Sequence, residues 1–113
     1  MERIEITIIR NLIHNEDFSR KVIPFLEPSY FERRSDKILF EEISSFIVKY
    51  GCSVTIEALN IEVENRSDVT DDEVKEINET TQYLNDSPVD QQWLFDVTEK
   101  WCRDRAIYLA LME

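Results

Sequence analysis

Gly51 is the one glycine in 113 residues, and it is accompanied by three prolines. Sheet folds place glycine at tight turns that need positive φ, so a chain this poor in it is expected to be built of helices. The same scarcity excludes chemistry. A phosphate-binding loop and a dinucleotide fingerprint each need at least two glycines, so that the backbone can approach the phosphates. One His and two Cys cannot build a four-ligand Cys/His zinc site without carboxylates. Charge excludes a third class. Thirteen Lys and Arg against 24 Asp and Glu leave a net of −11, which opposes the counterion-releasing contacts that hold nucleic acid. Direct nucleic-acid binding is therefore not expected. Nor is a membrane span, because the longest apolar runs are a few residues.

Hydrophobic spacing divides the chain into five to six helices. Ile4, Ile8 and Leu12, with Ile9 and Ile13, mark a first apolar stripe. Residues 4–8 also alternate like a strand, but the longer window favours the helical period. A short helix is expected from Asp17, with Phe18, Val22 and Phe25 inward, ended by Pro24 and Pro28. A third begins at Ser35 as its cap and carries Ile38, Leu39, Ile43, Phe46, Ile47 and Tyr50. Gly51 follows where a left-handed residue is wanted. Thr55 or Ser53 opens a fourth, with Ile56, Leu59, Ile61 and Val63. Thr70-Asp71-Asp72-Glu73 spells a capping box for a fifth helix bearing Val74, Ile77, Thr81 and Leu84, broken at Asn85-Asp86-Ser87-Pro88. The last and longest helix runs from about Val89 to Met112. In it Leu94, Val97, Trp101, Tyr108 and Met112 keep helical spacing, Trp93 and Leu109 widen the stripe, and Arg105 stands where an apolar residue is due. No cap or proline stops this helix, so the chain reads as cut from a longer one.

Candidates for chemistry reduce to simpler roles. Asp68, Thr70, Asp72 and Glu79 fall at ligand positions of a calcium loop. Its obligatory glycine is replaced by Glu73 and its aliphatic position by Lys75, and the capping box accounts for the same letters. Asn65-Arg66-Ser67 and Asn78-Glu79-Thr80 match the glycosylation acceptor by chance, since Met1-Glu2-Arg3 does not open a secretory signal. His14 reads as a helix-end residue facing the dipole. Cys102, beside Lys100 and Arg103, is either a thiol with a lowered pKa or a small core hydrophobe, and the second is the plainer account. Two distant thiols make no disulfide framework and point to a reducing compartment. Catalytic, cofactor-binding and metal-binding residues are expected to be absent. The outer part of the last stripe, in contrast, is rich in the aromatic, Met and Arg residues that gather at interface centres. Trp101, Arg105, Tyr108, Leu109 and Met112 are the candidate protein-interaction residues.

Asn85-Asp86-Ser87-Pro88 through Trp93-Leu94, then Thr98-Glu99-Lys100 to Arg105-Ala106, resemble the N-terminal domain of the replicative DNA helicase of T-even-type bacteriophages, a relative of the DnaB helicases. Tyr30-Phe31 ahead of Ile38-Leu39-Phe40, and Ser53-Val54 leading to Ala58-Leu59, extend the resemblance in order over nearly the whole chain. It implies one all-helical domain, residues 1–113, at the front of an ATP-dependent ring helicase. In that family such domains associate into a collar on the hexamer and face primase. ATP and Mg belong to a later ATPase domain that this chain lacks. The helical hairpin of the family is represented by its first arm only, with Arg105 at the place of a recurrent arginine. The implied setting is the replication fork in the cytoplasm of an infected bacterium. The competing expectation is a free-standing acidic regulator that mimics DNA and binds basic proteins. It rests on the charge of residues 51–113, which carry fifteen acids and five bases.

Overall fold

Apolar residues crowd the start of the chain because its first helix is wrapped by others. The computed structural model describes residues 2–112. In it α1 (Ile4–His14) has every residue from Ile6 to Ile13 buried. A helix surrounded in this way is apolar on most faces, which is why the alternation at residues 4–8 produces no strand. Its polar members bond to the chain around it. Arg10 donates to the Tyr83 carbonyl at 2.6 Å and to the Glu2 carboxylate. His14 Nε2 donates to the Leu84 carbonyl at 2.6 Å. The buried helix thereby ties down the chain that leaves α5.

Asn15 starts α2 (Glu16–Val22) by accepting the Phe18 N–H at 3.1 Å, one residue earlier than the sequence suggests. Phe18 and Val22 face inward, but Phe25 is 72% exposed. The chain tightens into a 3-10 turn at Ile23–Phe25, and the shorter period carries Phe25 off the buried side. A second 3-10 turn, Pro28–Tyr30, leads to α3 (Arg34–Tyr50). Ser35 does not cap α3. The helix begins at Arg34, which puts Ser35 inside the first turn, buried and donating to Glu76 at 3.2 Å. Ile38, Leu39 and Ile43 enter the core while Tyr50 stays outside. Gly51 ends the helix at φ 69° with its N–H on the Ile47 carbonyl at 2.8 Å, the left-handed cap that a side chain would strain.

Thr55 caps α4 (Ile56–Glu64) through the Ala58 N–H at 3.1 Å. Leu59 and Val63 are buried and Ile61 is exposed, since two residues along a helix is the opposite face. The capping box of α5 (Asp71–Thr81) is complete in both directions. Leu84 lies beyond the helix end yet is fully buried. After Pro88, Asp90 caps α6 (Gln91–Met112) by accepting the Trp93 N–H at 2.8 Å. The architecture is all-α, with six α-helices and no strand among the described residues. α1 lies against α2 and α3, α3 against α4 and α5, and α4 against α5, whereas α6 leans on the Pro28–Tyr30 turn. The radius of gyration, 13.7 Å, matches the ~13 Å of a folded chain this long.

Candidate protein-interaction surface

Twenty-two residues make α6 about 33 Å long at 1.5 Å per residue, enough to cross a molecule measuring 34 × 33 × 31 Å. Its own residues bury little. Leu94 and Thr98 are its fully buried side chains, both in the first half, where Phe95 sits 5.6 Å from Phe18, ring centre to ring centre. The second half is held by two residues. Trp101 is half-buried, edge-on to Tyr30 at 6.1 Å and against Phe31 at 5.0 Å. Phe31 in turn stacks on Phe40 of α3 at 5.2 Å. Arg105 Nε donates to the Tyr30 carbonyl at 2.6 Å and a terminal nitrogen reaches Glu32 at 3.2 Å, with the guanidinium 4.9 Å from the Tyr108 ring.

The five candidate residues therefore divide. Trp101 and Arg105 are turned onto the body of the domain, and Arg105 occupies an apolar register because it captures a carbonyl there. Tyr108 and Met112 face solvent at 48% and 67% exposure, and Leu109 is half-buried. Two residues that the sequence reading passed over join them, Ile107 at 55% and Leu111 at 79%. Ile107 with Leu111, and Tyr108 with Met112, are each four apart, so the four form one strip along the last turns. That spacing was readable in advance, but an apolar residue at helical spacing reads as core until the fold leaves it uncovered.

A second apolar feature lies where α6 passes α2. A groove of about 430 Å³ is lined by Lys21, Val22, Phe25, Phe95, Thr98 and Cys102 among others, with the Lys21 ammonium 5.2 Å from the centre of the Phe95 ring. Burial pushes the Cys102 thiol up to about 11, the reverse of an activated nucleophile. Around the calcium-like letters, Thr70 and Glu73 are engaged with each other, and the Asp68 carboxylate is held by Arg66 at 2.8 Å. No cluster of three potential metal-ligating side chains occurs among the described residues. No helix described is long and apolar enough to cross a membrane.

No family model matches the chain. Over 103 residues, 91% of its length, it is 35% identical to a protein of Enterobacteria phage T4 described as a DnaB-like replicative helicase. The chain spans 22% of that relative. At this identity over 91% of its length, the chain is homologous to one segment, about a fifth, of a phage DnaB-like replicative helicase.

Proposed function

We propose that these 113 residues form one domain that serves ring assembly and protein contact in a phage replicative helicase, helping to build a collar on the hexamer and couple it to primase. The observation that carries this reading is the similarity to a replicative helicase over 91% of the chain. The exposed apolar end of α6 supports it, because contiguous apolar surface rimmed by polar residues marks a site of association. On this reading ATP and Mg act in another part of the same protein, and the domain works at the replication fork in the infected bacterial cytoplasm. The acidic balance favours partners with basic surfaces, through steering and complementarity.

The test uses sedimentation and pull-down. The chain should self-associate, and should retain the primase of its own phage in competition with the full-length helicase. Replacing Tyr108 and Met112 by Glu should weaken both at least tenfold while leaving the helical signal intact. Deleting the domain from the helicase should impair hexamer formation or primase coupling. If the deletion leaves both unchanged and the chain neither self-associates nor holds primase, the proposal fails. A chain that instead binds basic proteins without discrimination would favour the acidic-mimic reading.

A further inference from the structure

α6 is fastened at two stations of different kind. Near its start, Leu94 and Thr98 are fully buried and Phe95 packs on Phe18, while Gln91 accepts an Asn15 side-chain N–H at 2.8 Å. Seven to eleven residues beyond Leu94, Trp101 and Arg105 meet the segment Tyr30–Glu32 through two ring contacts and two directed hydrogen bonds. Beyond Arg105 the helix presents Ile107, Leu111 and Met112 to solvent. A helix held over its first two turns only has the direction of its far end set by the next contact.

We propose that Trp101 and Arg105, gripping residues 30–32, form a clasp that fixes the direction of the second half of α6, and that releasing it lets that half swing about the buried turn Leu94–Thr98. Geometry makes the device a lever. At ~1.5 Å per residue the clasp ends about 10 Å from Thr98 and the tip at Met112 lies about 21 Å away, so a shift at the clasp is magnified about twofold at the apolar tip. The grip is suited to release. The Arg105 side chain is 14% exposed while its partner Glu32 is 67% exposed, so a basic group arriving on Glu32 competes for one anchor from solvent. Tyr30 and Glu32 sit in a connection outside the α-helices, anchored by the buried Phe31 between them, so release moves α6 away from this segment and leaves the segment in place. The inference stands on the intramolecular contacts alone and does not depend on the helicase assignment. Arg105 is a positioning residue in it.

Spin-label distance measurements on the full chain test the clasp. Labels are placed at Glu57→Cys on α4 and Ala110→Cys on α6, in a Cys52→Ser, Cys102→Ala background whose helical content and melting match the natural chain. A narrow distance distribution is expected with Arg105 in place. In Arg105→Gln its width should at least double, with helical content unchanged. Glu32→Gln should broaden it by less, since the Tyr30 carbonyl still holds the guanidinium, and Arg105→Lys should restore it in part. Lys100→Gln removes a bond to Asp104 within α6 and should have no effect. Equal widths with and without the Arg105→Gln substitution, in chains that are both folded, would overturn the proposal, as would equal broadening by Lys100→Gln. If Arg105→Gln does not fold, unchanged widths in both Glu32→Gln and Arg105→Lys would overturn it.

Discussion

Arg66 and Arg103 carry the same guanidinium and differ in everything around it. Arg66 follows the C-terminal end of α4 with its side chain 16% exposed. It meets Asp68 through two bonds of 2.8 Å, Glu42 at 3.1 Å and Glu41 at 3.3 Å. It therefore pins the α4–α5 connection to α3, and its removal would leave three carboxylates facing one another. Hydrogen bonds to charged groups contribute ~1.5–3 kcal/mol, and the solvent exposure of Asp68 and Glu41 puts this cluster in the lower part of that range. Arg66→Gln should thus destabilise the chain by about 2 kcal/mol, read as a lower urea midpoint with an unchanged slope. Arg103 reaches exposed Glu99 of its own helix at 3.6 Å. Exposed pairs one turn apart contribute little, and Arg103→Gln should leave the midpoint where it was. The contrast separates geometry from charge, since both substitutions make the net charge more negative by one.

At the scale of the element, α5 depends strongly on its ends. Ile77 and Thr81 are its buried residues, and its first turn holds three acids. With little apolar surface to bury, its stability rests on the Thr70 hydroxyl accepting the Glu73 N–H at 3.1 Å and the Glu73 carboxylate accepting the Thr70 N–H at 2.9 Å. Loss of such a cap costs about 1 kcal/mol. Thr70→Ala should cost that much and bring faster amide hydrogen exchange in α5 than in α3, while Thr70→Ser should change neither. This element was legible because a capping box is local chemistry: four adjacent letters contain both donors and both acceptors. Gly51 was legible for the same reason. Phe25, Ser35 and Arg105 were not, since each depends on something outside its own helix. A 3-10 turn rotates Phe25 outward, Glu76 of α5 takes the Ser35 hydroxyl, and a carbonyl 75 residues away explains Arg105. Periodicity finds the face of a helix. It does not say which neighbour covers that face, which is why Trp101 and Met112 looked alike in sequence and lie in different surroundings in the fold.

At the scale of the whole molecule, acids outnumber bases by eleven, so pH dependence is dominated by carboxylates whose folded surroundings shift them in opposite directions. The paired bonds from Arg66 hold Asp68 down to about 2, from an ordinary value of 3.8. The Thr70 backbone N–H lowers Glu73, and the Arg10 guanidinium lowers Glu2, both from 4.5. Each of these binds its proton more weakly in the folded chain than in the unfolded one. Between the ordinary and the lowered value the unfolded chain carries more protons, and stability falls as pH falls. Their contribution is complete above about pH 5 and is lost progressively down to about pH 2. Glu42 works the other way. Burial raises it above 4.5 against the pull of Arg66, so the folded chain keeps a proton that the unfolded chain releases. Stability from this group declines as pH rises from 4.5 through its folded value. The two trends together predict a maximum of stability near pH 5, with a steep acid side and a shallow neutral side. Urea midpoints measured from pH 2.5 to pH 7 should trace that shape. Asp68→Asn should flatten the acid side and leave the neutral side alone, and Glu42→Gln should flatten the neutral side and leave the acid side alone. An acid side equally steep in Asp68→Asn would mean that the Arg66 pairing does not set the proton affinity of Asp68. Arg66 would then join α3 to the α4–α5 connection by contact alone, without the charge linkage argued here.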